Sequence, residues 1–408
     1  MTDLLIAGGI VLAPGGPARS DVTVSDGRIT RVTPLDPPGR TAPARRLDAG
    51  GRGSTRARLI DADGLVVAPG FVDLQCNGAV GVDLTTEPER LWDVAAALPR
   101  WGVTAWLPTV VTASAAARSR LRAALAAGPA ERGTAMPGAI VARPLGLHLE
   151  GPFLAPERRG AHDARLIAPP SRDLVGAEGW SAEGGVALVT LAPELPGALD
   201  VVRDLTDRGV VVAAGHTSAT AAQATAAIDA GIRYVTHLFN AMAPLHHRAP
   251  GIAGVALTDD RVHVGLIADG LHVAPPMVAL AARLLGPRLS LVTDAVAALG
   301  APPGPVRLGG LTAAACEADG GVRLDDGTLA GSTLSLDRAV RNVMAFAGVP
   351  LADAVRAVAA APATVLGLPD RGVITPGAVG DLVLLTPEGH VVATVVAGHV
   401  AHDARKRP

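Results

Sequence analysis

Lysine is nearly missing from this sequence: of 36 Lys and Arg residues in 408, only Lys406 is a lysine. A carboxylated lysine bridging two metal ions therefore cannot be built in the body of the chain. The two cysteines, Cys76 and Cys316, make no spacing pattern, and a reduced, cytoplasmic setting is expected. No uninterrupted apolar run approaches the roughly 18 residues of a membrane span. The opening MTDLLIAGGIVLAPGG has an acid and no base before a short apolar run, so it fails as a signal peptide. A net charge of −2, with no basic stretch beyond the terminal RKRP, argues against nucleic acid or anionic membrane as partners. The Gly-rich dinucleotide fingerprint that follows a first strand in doubly wound folds is also absent.

What is present is a large apolar content, 49 % of residues, enough for one large domain and a small one. The two ends share a style. LLIAGGIVLA and DVTVSDGRITRV near the start, and GDLVLLTPEGHVVATVVAGHV near the end, are short β-type runs turning at Asp26-Gly27 and Glu388-Gly389. They predict a small β-sandwich domain from 1–66 and 373–408. The segment 37–58, rich in Pro, Gly and Arg, reads as a surface loop. Over 67–372, apolar strands alternate with Ala- and Leu-rich helical stretches, a pattern that suits a (β/α)8 barrel.

In such a barrel the reacting side chains come from the C-terminal ends of strands. Those ends carry Gln75 and Asn77 in FVDLQCNG, Glu150 in HLEGP, His216 in AAGHTSAT, His237 in VTHLFNAM, His272 in ADGLH, and Asp294 in VTDA. The later members follow one another at the lengths of βα units. The longer gap after Glu150 leaves room for one more strand, which GVALVTLAPE supplies. Buried polar groups at successive strand ends need partners, and a shared cation is one. Two His and one Glu on one divalent ion leave a position open for water. Asp294 is then free to move protons. FVDLQCNG stands where many metal-dependent hydrolases carry His-x-His, and its neutral amides bind transition metals poorly.

PGFVDLQCNG, GLHLEGPF, AGHTSAT, THLFNAM, HHRAPG, DGLHV, LVTDA and LAGSTLSLDRAVRN together resemble the N-acetylglucosamine-6-phosphate deacetylase family of the amidohydrolase superfamily. The resemblance covers nearly the whole chain, and HLEGPF with THLFNAM in this order is its most specific part. It implies deacetylation of an amino-sugar phosphate, with Glu150, His216 and His237 holding one divalent metal, zinc first and iron or manganese as alternatives. It implies Asp294 as acid/base and His162, beside Ala161, on the acetamido carbonyl. Asn240, Ala241, Asp269 and His272 would hold the sugar or its phosphate. Leu329, Ala330 and Gly331 would line the acyl side, and Arg248 would reach the 6-phosphate from the neighbouring subunit of a homodimer. Gln75 and Asn77 would fill the place of a second metal. Ala249 departs from the acid that often follows the family's arginine.

Two other readings compete. An N-acyl-D-amino-acid deacylase survives the lysine test but leaves HLEGPF, THLFNAM and Arg248 unexplained. A non-catalytic barrel has no need of the buried set Glu150, His216, His237 and Asp294.

Overall fold

The computed structural model describes residues 4–35, 58–129, 138–315 and 320–406. The loop expected over 37–58 falls, apart from Arg58, outside the described residues, as does Cys316.

The apolar runs of the middle region become eight parallel strands: β1 (Phe71–Cys76), β2 (Val103–Val110), β3 (Leu147–Glu150), β4 (Val186–Leu191), β5 (Val211–Ala214), β6 (Tyr234–Val235), β7 (His263–Leu266) and β8 (Leu289–Leu291). Each pairs in parallel with the next. The ring closes where the Asn77 N–H donates to the Ala295 carbonyl (2.7 Å) and the Asp294 N–H to the Gln75 carbonyl (2.9 Å). Helices follow the strands and cover the outside, so strand residues are buried on both faces. All eight residues of β2, VTAWLPTV, are buried, which is why it reads as a continuous apolar run rather than an alternating one. The chain thus forms a (β/α)8 barrel.

Both termini build a separate eight-stranded sheet with its own core, including Leu4, Ile6, Val22, Leu382 and Leu384. At the hairpin between strands Gly16–Ser25 and Arg28–Pro34, Asp26 (φ +50°) and Gly27 (φ +75°) are both left-handed, as a tight two-residue turn between twisted strands requires. The strand Val66–Pro69 pairs with Leu4–Ala13 on one side and Leu382–Leu385 on the other, so it joins the two ends. It also crosses the 66/67 boundary expected from sequence. Among the described residues no helix is long and apolar enough to cross a membrane.

One insert interrupts the barrel pattern. Between β8 and the helix Leu336–Ala347, strands Pro305–Leu308, Leu311–Ala315 and Val322–Arg323 form a small antiparallel sheet beside the barrel mouth.

A buried ion pair, Arg371–Asp381, sits where barrel and terminal sheet meet. The Asp381 carbonyl accepts from Gly70, just ahead of β1, and its carboxylate accepts from Ala397. Removing one partner strands a buried charge, so Asp381→Ala should lower stability by about 3–5 kcal/mol. A urea unfolding curve measures this, and a loss under about 1 kcal/mol would show that the pair is dispensable.

Candidate metal centre

Glu150 ends β3 inside the barrel mouth and is 2 % exposed. Its Oε1 lies 3.2 Å from His216 Nε2, just beyond β5, and 3.0 Å from His237 Nε2, just beyond β6. The two imidazole nitrogens are 3.1 Å apart, which completes a nearly equilateral triangle. Bonds of about 2.0–2.1 Å to a tetrahedral cation correspond to ligand–ligand edges of about 3.3 Å, so the triangle has the dimensions of one face of such a site. His216 Nδ1 lies 2.9 Å from the Arg158 carbonyl, which can only accept. That bond puts the ring proton on Nδ1 and leaves the Nε2 lone pair facing the triangle. The donor set of one carboxylate and two imidazoles fits a divalent metal ion.

His162 competes for a place in this set, since Glu150, His162 and His216 offer ligand atoms all within 4.8 Å of one another. Its hydrogen bonds argue otherwise. The Thr112 backbone N–H donates to His162 Nδ1 (3.1 Å), and a backbone N–H has its hydrogen fixed. Nδ1 is therefore an acceptor, and the neutral ring carries its proton on Nε2. Burial and the neighbouring His216 hold this imidazole's pKa down at about 4, so it stays neutral. Its Nε2–H lies 3.7 Å from Glu150 Oε2. A protonated nitrogen serves as a hydrogen-bond donor, not as a ligand.

Asp294 follows β8 and reaches the same amide as Glu150. Gln75 Nε2 donates to Glu150 Oε1 (2.9 Å) and to Asp294 Oδ1 (3.1 Å). Asn77 Nδ2 donates to the same Asp294 oxygen (2.7 Å). Turned the other way, either amide would set its oxygen against a carboxylate, so these orientations are enforced. Burial and the nearby Glu150 charge push the Asp294 carboxyl up to about 6.

These groups line one cavity of about 200 Å³ together with Ala161, Asn240, Ala241, His272, Leu329 and Gly331. Gln75 lies beneath it, and Ala330 is packed away at 0 % exposure. Asp269 stands behind His272, its Oδ2 taking a bond from His272 Nδ1 at 2.6 Å. Arg248 is exposed in the loop after β6 and does not reach the cavity of its own chain. His148 is buried, with Nε2 2.8 Å from Thr190 Oγ1, away from the triangle.

Sequence reasoning missed several supports. Thr112 sets the tautomer of His162, and the Arg158 carbonyl sets that of His216. Glu194, at the end of the β4 run, accepts from Thr217 Oγ1 and the Ser218 N–H at 2.5 Å each and so fixes the turn after His216. Its place at a strand end was a signal; backbone groups such as the Arg158 carbonyl leave none.

Comparison with known proteins follows the same lines. The amidohydrolase family profile matches residues 66–401. The chain is 37 % identical to human N-acetylglucosamine-6-phosphate deacetylase, over 97 % of this chain and 94 % of that one. It is 39 % identical to N-acetylgalactosamine-6-phosphate deacetylase of Escherichia coli O157:H7, over 84 % of this chain and 89 % of that one. Among solved structures, N-acetyl-D-glucosamine-6-phosphate deacetylase from Mycobacterium smegmatis superposes with a TM-score of 0.83 at 35 % identity, covering 98 % of this chain and all of that one.

The two ligand sets predict different variants. His237→Ala should lose its metal, while His162→Ala should keep about one equivalent per chain. Metal analysis of the purified proteins decides it, and the opposite pattern would put His162 in the coordination shell.

Proposed function

The chain belongs to the amidohydrolase family, and from that premise we propose that it hydrolyses N-acetyl-D-glucosamine 6-phosphate to D-glucosamine 6-phosphate and acetate. The observation that carries this reading is the pairing of a proton acceptor, Asp294, and a neutral N–H donor, His162, around the Glu150–His216–His237 triangle. That is the equipment of acyl transfer to water. The N-acetylgalactosamine-6-phosphate deacetylase likeness favours the C4 epimer as a second substrate.

A divalent ion on Glu150, His216 and His237, zinc first and iron or manganese as alternatives, would polarise the acetamido carbonyl and acidify water. The protein's own groups do the rest. Both amide donors engage Asp294 Oδ1, which leaves Oδ2 to take a proton from the attacking water. The water oxygen bonds to the carbonyl carbon, and the His162 Nε2–H donates to the oxygen on which charge develops. Asp294 then gives its proton to the sugar nitrogen as the C–N bond breaks, releasing amine and acetate. A carboxyl near 6 is ionised at neutral pH yet acidic enough to return the proton.

Sugar contacts follow from the far wall. With Nδ1 bonded to Asp269, His272 keeps Nε2 for a hydroxyl. Asn240 donates to the carbonyls of His237 and Leu238, so its side-chain oxygen is left to accept. Arg248, exposed on its own subunit, suits bidentate contact with the 6-phosphate in a partner's site, which makes the working unit a homodimer. A cytoplasmic location suits a charged sugar phosphate, which does not cross membranes unaided.

Acetate release should strongly favour the 6-phosphate over free N-acetylglucosamine, and Asp294→Asn should lose about 10²–10⁴-fold in kcat with its metal retained. Equal turnover of phosphorylated and free sugar would reject the substrate class. For the trans arrangement, mixing and reassembling inactive Arg248→Ala and Asp294→Asn subunits should restore activity. Each mixed dimer holds one intact site, and no recovery would place Arg248 in its own chain's site.

A further inference from the structure

We infer that Val111 and Leu308 form the wall that restricts the substrate's acyl group to acetyl; the inference rests on the amide-hydrolase reading of this cavity. The barrel's strand order sets the geometry. β2 and β6 are separated by three strands in either direction around the ring, so they stand opposite each other. Val111 directly follows β2, and its neighbour Thr112 holds the ring of His162. Asn240 follows β6 and His272 follows β7. One wall of the cavity is therefore polar, and the wall across from it is apolar.

That apolar wall belongs to a buried cluster of its own, in which Val111, Ala161 and Leu308 pack with Val296, Ala298 and Ala313. An N-acylated sugar phosphate has the same asymmetry, with hydroxyls and phosphate on one side of the amide and a hydrocarbon on the other. With the carbonyl between His162 and the Glu150 triangle, the sugar faces Asn240 and His272. The acyl carbon then faces Val111 and Leu308.

The wall is also fixed in place. Leu308 pairs with Leu311 at the hairpin turn of the insert, and the Gly309 N–H donates to Asp83 Oδ2 at 3.1 Å. Asp83 is itself held by the Thr85 N–H and Thr86 Oγ1. Gly309 is left-handed (φ +58°), and a Cβ on it would stand 2.4 Å from Val111 Cγ2. The hairpin backbone thus rests on Val111 with no gap, and neither can withdraw from a longer chain.

Release of glucosamine 6-phosphate from its N-acetyl, N-propionyl and N-butyryl derivatives tests this with one product in common. The wild type should lose at least about tenfold in kcat/KM for each added methylene. Val111→Ala and Leu308→Ala, which alter the wall from two separate elements, should each raise the butyryl-to-acetyl ratio by about tenfold or more. A wild type that hydrolyses all three alike, or a ratio unchanged in both variants, overturns the inference and leaves the deacetylase reading standing. A wild type inert toward all three overturns that reading and the inference with it.

Discussion

The carboxylate of Glu150 is out of water at the centre of the barrel mouth, and the surrounding structure answers that single fact. Burying a lone carboxylate costs several kcal/mol even after relaxation, so its oxygens need donors or cations. They are met by the Gln75 amide from β1 and faced by His216 and His237 from beyond β5 and β6. Residues so far apart in sequence converge because the strands close into a ring and present their C-terminal ends inward. A divalent ion among the three, as proposed, would complete the compensation, and metal site and fold would then solve one electrostatic problem.

The convergence is held against backbone preference. His216, His237 and Asp294 have φ of +49°, +32° and +47°, a region that non-glycine residues seldom enter. Each costs on the order of 1–3 kcal/mol and persists only where its surroundings insist on it. The insistence is visible in the turns. Thr217 donates to the Ala241 carbonyl, Leu238 to the Gly265 carbonyl, and Ser332 to the carbonyl of Asp294. The first bond ties the loop after β5 to the loop after β6, and the second ties the loop after β6 to strand β7. The third closes the connection after β8 back on Asp294, so each strained turn is held from outside itself.

How much of this could be read in the sequence follows from where information sits. Continuous apolar runs alternating with helical stretches revealed the barrel, because strands buried on both faces leave no other pattern. The polar residues that stop those runs stood out for the same reason: Glu150 ends LHLE, and Asp294 ends the run through β8. The N–H of Thr112 and the carbonyl of Arg158 were illegible, since every residue carries such groups and only tertiary placement selects them. The apolar wall was illegible too. Val111 continues a run that is buried throughout, and Leu308 lies in a hairpin whose sequence says nothing of the cavity beside it.

Gln75 and Asn77 gain a physical meaning from these contacts. Two carboxylates, Glu150 and Asp294, approach the same region, and each raises the difficulty of ionising the other. Cations between them would relieve the repulsion, as would donors. Here the relief comes from amide N–H groups: two of Gln75, one to each carboxylate, and one of Asn77 to Asp294. An amide N–H cannot ligate a metal, and its dipole already points at the oxygens a second ion would need. With no lysine in the barrel to bridge a metal pair, these donors would suit the proposed arrangement of one ion beside Glu150, with Asp294 held by amides. In the proposed mechanism Asp294 takes a proton through Oδ2, and the amides of FVDLQCNG bear on that step by occupying Oδ1 alone.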